Sequence, residues 1–148
     1  NENFKYVYKR LFGGGEGELT ILDEDNILES DIQITAKPPG KKMKNLNLLS
    51  GGEKALTAIS ILFAIILAKP TPFCILDEIE APLDDANIFR FGEYLKELSE
   101  DTQFIAVTHR RGTMEAADYI YGVTMEKKAI SKVIGLDLHE AHKMTDII

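Results

Sequence analysis

Cysteine is almost missing from this chain: Cys74 is the single one in 148 residues. One thiol cannot build a disulfide framework, so a core must hold the fold, and a reducing cytosol suits it. Cys74 lies inside an apolar run and reads as a small buried hydrophobe. An excess of positive charge is missing too. With Lys+Arg 17 against Asp+Glu 24 the net charge is −7, which excludes nucleic-acid binding driven by overall charge and leaves only a local basic patch. Residues 1–10 lack the apolar segment of a secretory signal. The longest uncharged run, residues 55–68, falls short of the roughly 20 residues of a membrane span and reads as a buried core helix. There is no internal repeat and no low-complexity tract. The phosphate-loop pattern G-x-x-x-x-G-K-[ST] occurs nowhere, so Gly13-Gly14-Gly15 reads as a turn.

What is present suits one soluble domain over residues 1–148, at 45% apolar and 28% charged residues. The stretch that organises it is Phe73-Cys74-Ile75-Leu76-Asp77-Glu78-Ile79-Glu80-Ala81-Pro82-Leu83-Asp84-Asp85. Four apolar residues read as a buried strand, and two carboxylates follow at its carboxyl end, where ligands sit in α/β sheets. Such acids suit a site that holds Mg²⁺ and manages an attacking water. An acidic loop capping the next helix is the plainer alternative, since Asp84 and Asp85 are good N-caps.

Along the chain, the spacing of Phe4, Val7, Tyr8 and Leu11 predicts the end of an amphipathic helix over residues 3–12. The chain starts without methionine, in what reads as mid-helix, which suggests a piece of something longer. Alternation predicts two strands, residues 18–22 and 31–36, pairing antiparallel. A basic, helix-breaking loop follows over residues 37–44; it is either solvated or placed to meet phosphates. Ser50 is a natural N-cap, and Gly51-Gly52 would let a phosphate approach the bare amides of the apolar helix behind them. Ile88, Phe91, Leu95 and Leu98 form a helical stripe. Residues 104–107 form a second buried strand, leading to Thr108-His109-Arg110-Arg111. His109 should converge on the acids of the neighbouring strand end. A short helix near residues 113–117 precedes a hairpin, residues 119–125 and 129–135, turning at Lys127-Lys128. Its aromatics, Tyr119 and Tyr121, serve either sheet core or an interface. His139 and His142 in the tail, residues 136–148, are too few to be a metal site.

Three elements then stand in order: Leu49-Ser50-Gly51-Gly52-Glu53-Lys54, residues 73–84, and Thr108-His109-Arg110-Arg111. Together they resemble the signature motif, Walker B with D-loop, and switch histidine of ABC-type ATPases. More closely, with Leu11-Phe12-Gly13-Gly14-Gly15 and Pro38-Pro39-Gly40-Lys41-Lys42, the chain resembles the C-terminal half of a prokaryotic SMC (structural maintenance of chromosomes) head. The one departure within the motifs is Pro82, where Ala is common.

The resemblance implies an α/β fold, the C-terminal lobe of an ABC-type head. It would hold a mostly parallel sheet flanked by helices, an N-terminal strand pair and a late β-hairpin, with residues 1–12 ending a coiled coil. It implies ATP and Mg²⁺ as cofactors, with Asp77 on the metal, and Glu78 as base or orienter of the water. Ser50, Gly51, Gly52 and Glu53 would lie at the γ-phosphate held by an opposite head, Asp84 would signal across the dimer, and His109 would sense the γ-phosphate. The partners implied are an N-terminal SMC head segment carrying Walker A, a second SMC head, a kleisin C-terminal winged-helix domain, and DNA in the full complex. The setting would be cytoplasmic, on the nucleoid, in chromosome condensation and segregation; alone, the chain should be inactive. Two other readings stay open: a non-catalytic, kleisin-binding module, and a piece of another ABC-type ATPase such as a DNA-repair coiled-coil protein.

Overall fold

A computed structural model describes residues 1–127 and 129–137. Lys128 and residues 138–148, with His139 and His142 among them, lie outside the described residues.

The first helix, α1 (Glu2–Phe12), buries Phe4, Val7, Tyr8, Leu11 and Phe12 along one face, the stripe that the spacing predicts. It ends at Gly13 in the left-handed region (φ 67°), with Gly14 N–H donating to the Lys9 carbonyl at 2.9 Å. Gly15 turns the chain into the first strand at φ 77°, where a Cβ would stand 2.2 Å from the Lys37 carbonyl oxygen. Only glycine fits there. Strands β1 (Glu16–Ile21) and β2 (Ile32–Lys37) then pair antiparallel from Glu16↔Lys37 to Ile21↔Ile32. A short third strand, β3 (Lys44–Asn45), joins β2. Its two residues carry no alternation, so the sequence did not announce it.

Helix α2 (Gly51–Ala68) follows a 3-10 turn, Leu46–Leu48, and packs on α1. Leu56, Ile59, Phe63, Ala64 and Ile66 are buried with Thr57 and Ser60. Those two hydroxyls donate to the Glu53 and Leu56 carbonyls, each at 2.7 Å, so their burial costs little. By length and composition α2 could cross a bilayer; its buried face serves as core. The expectation that it is buried all round needs correcting, because Ile65 is 59% exposed.

Strand β4 (Phe73–Asp77), helix α3 (Asp85–Leu98) and strand β5 (Gln103–Val107) form a β-α-β unit. β4 and β5 are parallel, in register from Phe73↔Gln103 to Asp77↔Val107. Phe63 of α2 sits at the centre of the packing, its ring centroid 5.8 Å from Phe91, 5.7 Å from Tyr94 and 6.2 Å from Phe104. Tyr94 is buried beside Tyr6 and Glu97; desolvation, then their charges, pushes its hydroxyl up to about 12. Glu97 also accepts from the Tyr6 hydroxyl at 3.1 Å and pairs with Arg10, tying α1 to α3.

The two strands are not buried as the sequence reading expected. Side chains alternate across a strand. Leu76 faces the helices and is buried, whereas Ile75 is 61% exposed and Phe73, Ile105 and Val107 share its openness. Continuous apolar runs signalled two covered faces, and this chain's helices cover one. Helix α4 (Arg111–Glu115) leads to the hairpin of β6 (Tyr119–Lys127) and β7 (Ile130–Asp137), paired from Tyr119↔Asp137 to Thr124↔Lys132. Tyr119, Tyr121 and Val123 are exposed, so these aromatics are not core within this chain. The α/β architecture with strand pair and late hairpin is as expected; its parallel part is small, only β4 and β5 among the described residues.

Phe63→Ala should lower the unfolding free energy by about 3–5 kcal/mol, as for other large-to-small core changes. Urea unfolding measures it, and a loss under about 1 kcal/mol would remove Phe63 from the centre of the core.

Candidate functional site

In a parallel pair both carboxyl ends lie at one edge, so the residues after Asp77 and after Val107 must meet there. The Glu78 N–H continues the pairing by donating to the Val107 carbonyl at 2.9 Å, and the Ala81 N–H donates back to the Glu78 carbonyl at 3.0 Å. Between these bonds Glu78 takes φ 49°, a conformation uncommon for a residue with a Cβ, and strain of this kind gathers at functional sites. Its Oε1 lies 3.3 Å from His109 Nδ1. Both side chains are more than half exposed, so the contact adds little to stability. It does show that the expected convergence of strand ends occurs. Asp77 closes β4 with an exposed carboxylate.

The loop between β4 and α3 is fastened by groups that the sequence reading passed over. Glu80 is 2% exposed. Its Oε1 accepts from Thr108 Oγ1 and, at 3.0 Å, from Thr113 Oγ1. Thr108 Oγ1 in turn accepts from the Arg110 N–H at 3.0 Å. Arg110 then reaches back, donating to the Leu83 carbonyl and to Asp85 Oδ1, each at 3.1 Å. A third acid in an acidic loop gave no sign of pointing inward; the hydroxyls at positions 108 and 113 were the signal available. Asp84 caps α3, its Oδ1 accepting from the Asn87 N–H at 2.9 Å, so the plain helix-cap reading holds for Asp84. Capping does not conflict with a further role for its exposed carboxylate.

Ser50 caps α2 in a reciprocal box. Its Oγ accepts from the Glu53 N–H at 3.4 Å, and Glu53 Oε2 accepts from Ser50 N–H and Oγ, each at 3.0 Å. The amides of Gly51 and Gly52 have no carbonyl one turn back to receive them. A Cβ on Gly52 would come 3.3 Å from the Pro82 carbonyl oxygen, so this helix start lies against the loop after β4. The Lys41 ammonium pairs with Glu53 Oε1 at 2.9 Å, which gives one lysine of the basic loop a fixed task. That ammonium first, then the Ser50 N–H, hold the Glu53 carboxyl below the usual glutamate range.

Among the described residues no cluster of three or more His, Cys, Asp and Glu side chains forms a metal cage. The donors that are present suit a different arrangement. Mg²⁺ is commonly held by one or two carboxylates plus the substrate's phosphates, and Asp77 is an exposed carboxylate at such a strand end.

A carboxyl held low by a partner contributes stability above its ordinary pKa and loses it as pH falls through the lowered value. Lys41→Met should therefore raise the Glu53 pKa and move the acid-side loss of the α2 cap to higher pH. A ¹³C titration of the Glu53 carboxyl reads this directly; an unchanged midpoint would mean that Lys41 is merely solvated.

The family described as RecF/RecN/SMC N terminal domain matches residues 5–132. The chromosome partition protein Smc of Bacillus subtilis (strain 168) is 59% identical over 138 residues, covering 93% of this chain and 12% of that protein. The chromosome partition protein Smc of Desulfitobacterium hafniense (strain Y51) is 55% identical over 145 residues, 98% of this chain and 12% of its own length. The chain thus spans about an eighth of these relatives. Among solved structures, the Smc head domain of Pyrococcus furiosus, with an extended coiled coil and bound to the C-terminal domain of ScpA, superposes with TM-score 0.89 at 42% identity, covering 98% of this chain and 36% of that one. A structure from work on ATP-driven dimerization and DNA stimulated activation of SMC ATPases gives TM-score 0.84 at 41% identity, covering 98% of this chain and 88% of the other. The strand-end acids, the capped glycine turn and the histidine therefore sit in a segment of an SMC protein, and this chain belongs to the SMC family.

Proposed function

We propose that this chain is the C-terminal half of a composite ATP-binding and ATP-hydrolysing SMC head, serving chromosome condensation and segregation. The observation that carries the reading is the meeting of Glu78 and His109 across two strand ends, 3.3 Å apart, beside Asp77, with the capped glycine turn set against Pro82 of the same loop. The matching family is described as an N terminal domain. The order of motifs here, signature turn, acidic strand end and switch histidine, favours the second half of the head. The exposed apolar face of β4 and β5 also favours it, because Phe73, Ile75, Ile105 and Val107 form a surface of the kind another layer covers.

In this reading the Walker A segment presents ATP to the β4 and β5 ends. Asp77 would hold Mg²⁺, which supplies charge stabilisation to the phosphates when bound. Glu78 accepts a hydrogen bond from the attacking water and takes its proton as oxygen bonds to the γ-phosphorus and ADP departs. His109 donates to a γ-phosphate oxygen from the neighbouring loop. Ser50, with the amides of Gly51 and Gly52, meets the γ-phosphate of ATP held by a second head. Glu53 near that anion would repel it, and Lys41 at 2.9 Å offsets the charge. Asp84, at the start of α3, lies on the loop that touches the signature turn through Pro82 and signals across the dimer. Alone, the chain binds ATP poorly.

The Pyrococcus furiosus head binds the C-terminal domain of ScpA, and another solved SmcHead binds the C-winged helix domain of ScpA. A kleisin winged helix of this type is the proposed partner here. The β6–β7 hairpin, with Tyr119, Tyr121 and Val123 exposed, offers part of its surface. DNA in the full complex and a place on the nucleoid belong to the same reading.

Two variants test it in the head formed with the complementary Walker A segment. Glu78→Gln should retain ATP-dependent dimerisation while hydrolysis falls by about 100-fold or more, the scale of losing a general base; near-normal hydrolysis would take Glu78 out of its role. Ser50→Arg should block dimerisation by filling the phosphate approach. Dimers of that variant forming normally with ATP would sink the trans-phosphate contact.

A further inference from the structure

Glu80 is the most deeply buried charged side chain among the described residues, and the mechanism above leaves it unused. Burying a carboxylate is costly without strong hydrogen bonds, and here one oxygen takes two hydroxyl donors from two other elements, Thr108 and Thr113. Its own backbone is also engaged, since the Leu83 N–H donates to the Glu80 carbonyl at 2.9 Å. Thr108 immediately precedes His109, and Thr113 lies one helical turn beyond. Arg110, on the other side of His109, has its N–H on Thr108 Oγ1 and its guanidinium on the Leu83 carbonyl. The chain on both sides of His109 is therefore anchored to the loop that carries Glu78.

We propose that Glu80 is a positioning residue for ATP hydrolysis: its carboxylate clamps the switch-histidine segment to the loop between Glu78 and Asp84 through the two threonine hydroxyls. The clamp rests on the ATPase reading above. It fixes the separation of the water-managing carboxylate and the phosphate-sensing imidazole, and it ties both to the loop that faces the signature turn. Misplacing a reacting group by an ångström costs orders of magnitude in rate, so the clamp acts on turnover and leaves ground-state binding alone.

The test uses the head formed with its Walker A segment and compares Thr108→Val, Thr108→Ser and Glu80→Gln, with Glu78→Gln run alongside. Val keeps the branched shape and loses the hydroxyl; Ser keeps the hydroxyl. Thr108→Val should lower kcat about 10- to 100-fold. Its KM for ATP should stay within about twofold of wild type, with ATP-dependent dimerisation intact, as expected for an interaction felt in the transition state. Thr108→Ser should restore most of the rate. Glu80→Gln should fall between them, because an amide oxygen still accepts hydrogen bonds without the charge. If Glu80→Gln fails to fold, the Val and Ser pair decides the matter. Turnover of Thr108→Val within about twofold of wild type, or equal losses in Val and Ser, would overturn the clamp. A Glu78→Gln head that hydrolyses normally would instead overturn the ATPase reading beneath it.

Discussion

Parallel pairing of β4 with β5 is the constraint on which the rest depends. Had the strands run antiparallel, Glu78 and His109 would stand at opposite edges of the sheet, separated by the length of a strand. The register Asp77↔Val107 leaves each strand ending on the same rung. The next hydrogen bond, from Glu78 N–H to the Val107 carbonyl, carries the pairing one residue into the loop. That extra bond holds Glu78 in its positive-φ conformation and aims its side chain at the neighbouring loop. Helix α3 supplies the crossover that parallel pairing requires, and Phe63, Phe91 and Phe104 bind that helix and β5 to α2. The start of α2 is then brought against Pro82. A few aromatic contacts thus set where the capped glycine turn lies relative to a pair of acids.

Much of this was legible, and for identifiable reasons. The helical stripe of α1, the N-cap at Ser50 and the glycine turn that stops α1 are local features, set by spacing within a turn or two. The strand ends were legible because four apolar residues flowing into charge mark where a strand leaves the sheet. The burial of Ile75 and Val107 was misjudged because an apolar run reports the surroundings a segment is suited to, and this chain supplies half of them. The same holds for Ile65 on α2. Glu80 was missed for the opposite reason. In sequence it is one acid among several, and its burial depends on hydroxyls 28 and 33 residues away that only the folded chain brings close.

The open face of β4 and β5 and the open hairpin carry a shared implication. A contiguous exposed apolar patch beyond a few hundred Å² is rare on a free soluble monomer; here Phe73, Ile75, Ile105 and Val107 stand open on β4 and β5, and Tyr121 and Val123 on β6. Along β4, Phe73 and Ile75 alternate with Cys74 and Leu76, which pack inward, so that open face follows from strand geometry. A second layer laid on Ile75 and Ile105 would complete a sheet covered on both faces, the arrangement that parallel strands favour.

Charge makes the same point at the site itself. Asp77, Glu78, Asp84 and Asp85 crowd the end of β4 on a chain of net charge −7. A triphosphate brought to such an edge meets like charges, and a single such pair at 4 Å costs about 4 kcal/mol at an effective dielectric constant near 20. The cations fixed nearby already have partners: Arg110 is tied to Asp85, and Lys41 to Glu53. On the proposed reading, positive charge to balance the phosphates would arrive with the nucleotide, as a divalent ion and the groups that present it. Affinity for ATP at this edge would then depend on association with the surface that brings those charges. A half-site of this composition would make nucleotide binding and assembly a single event.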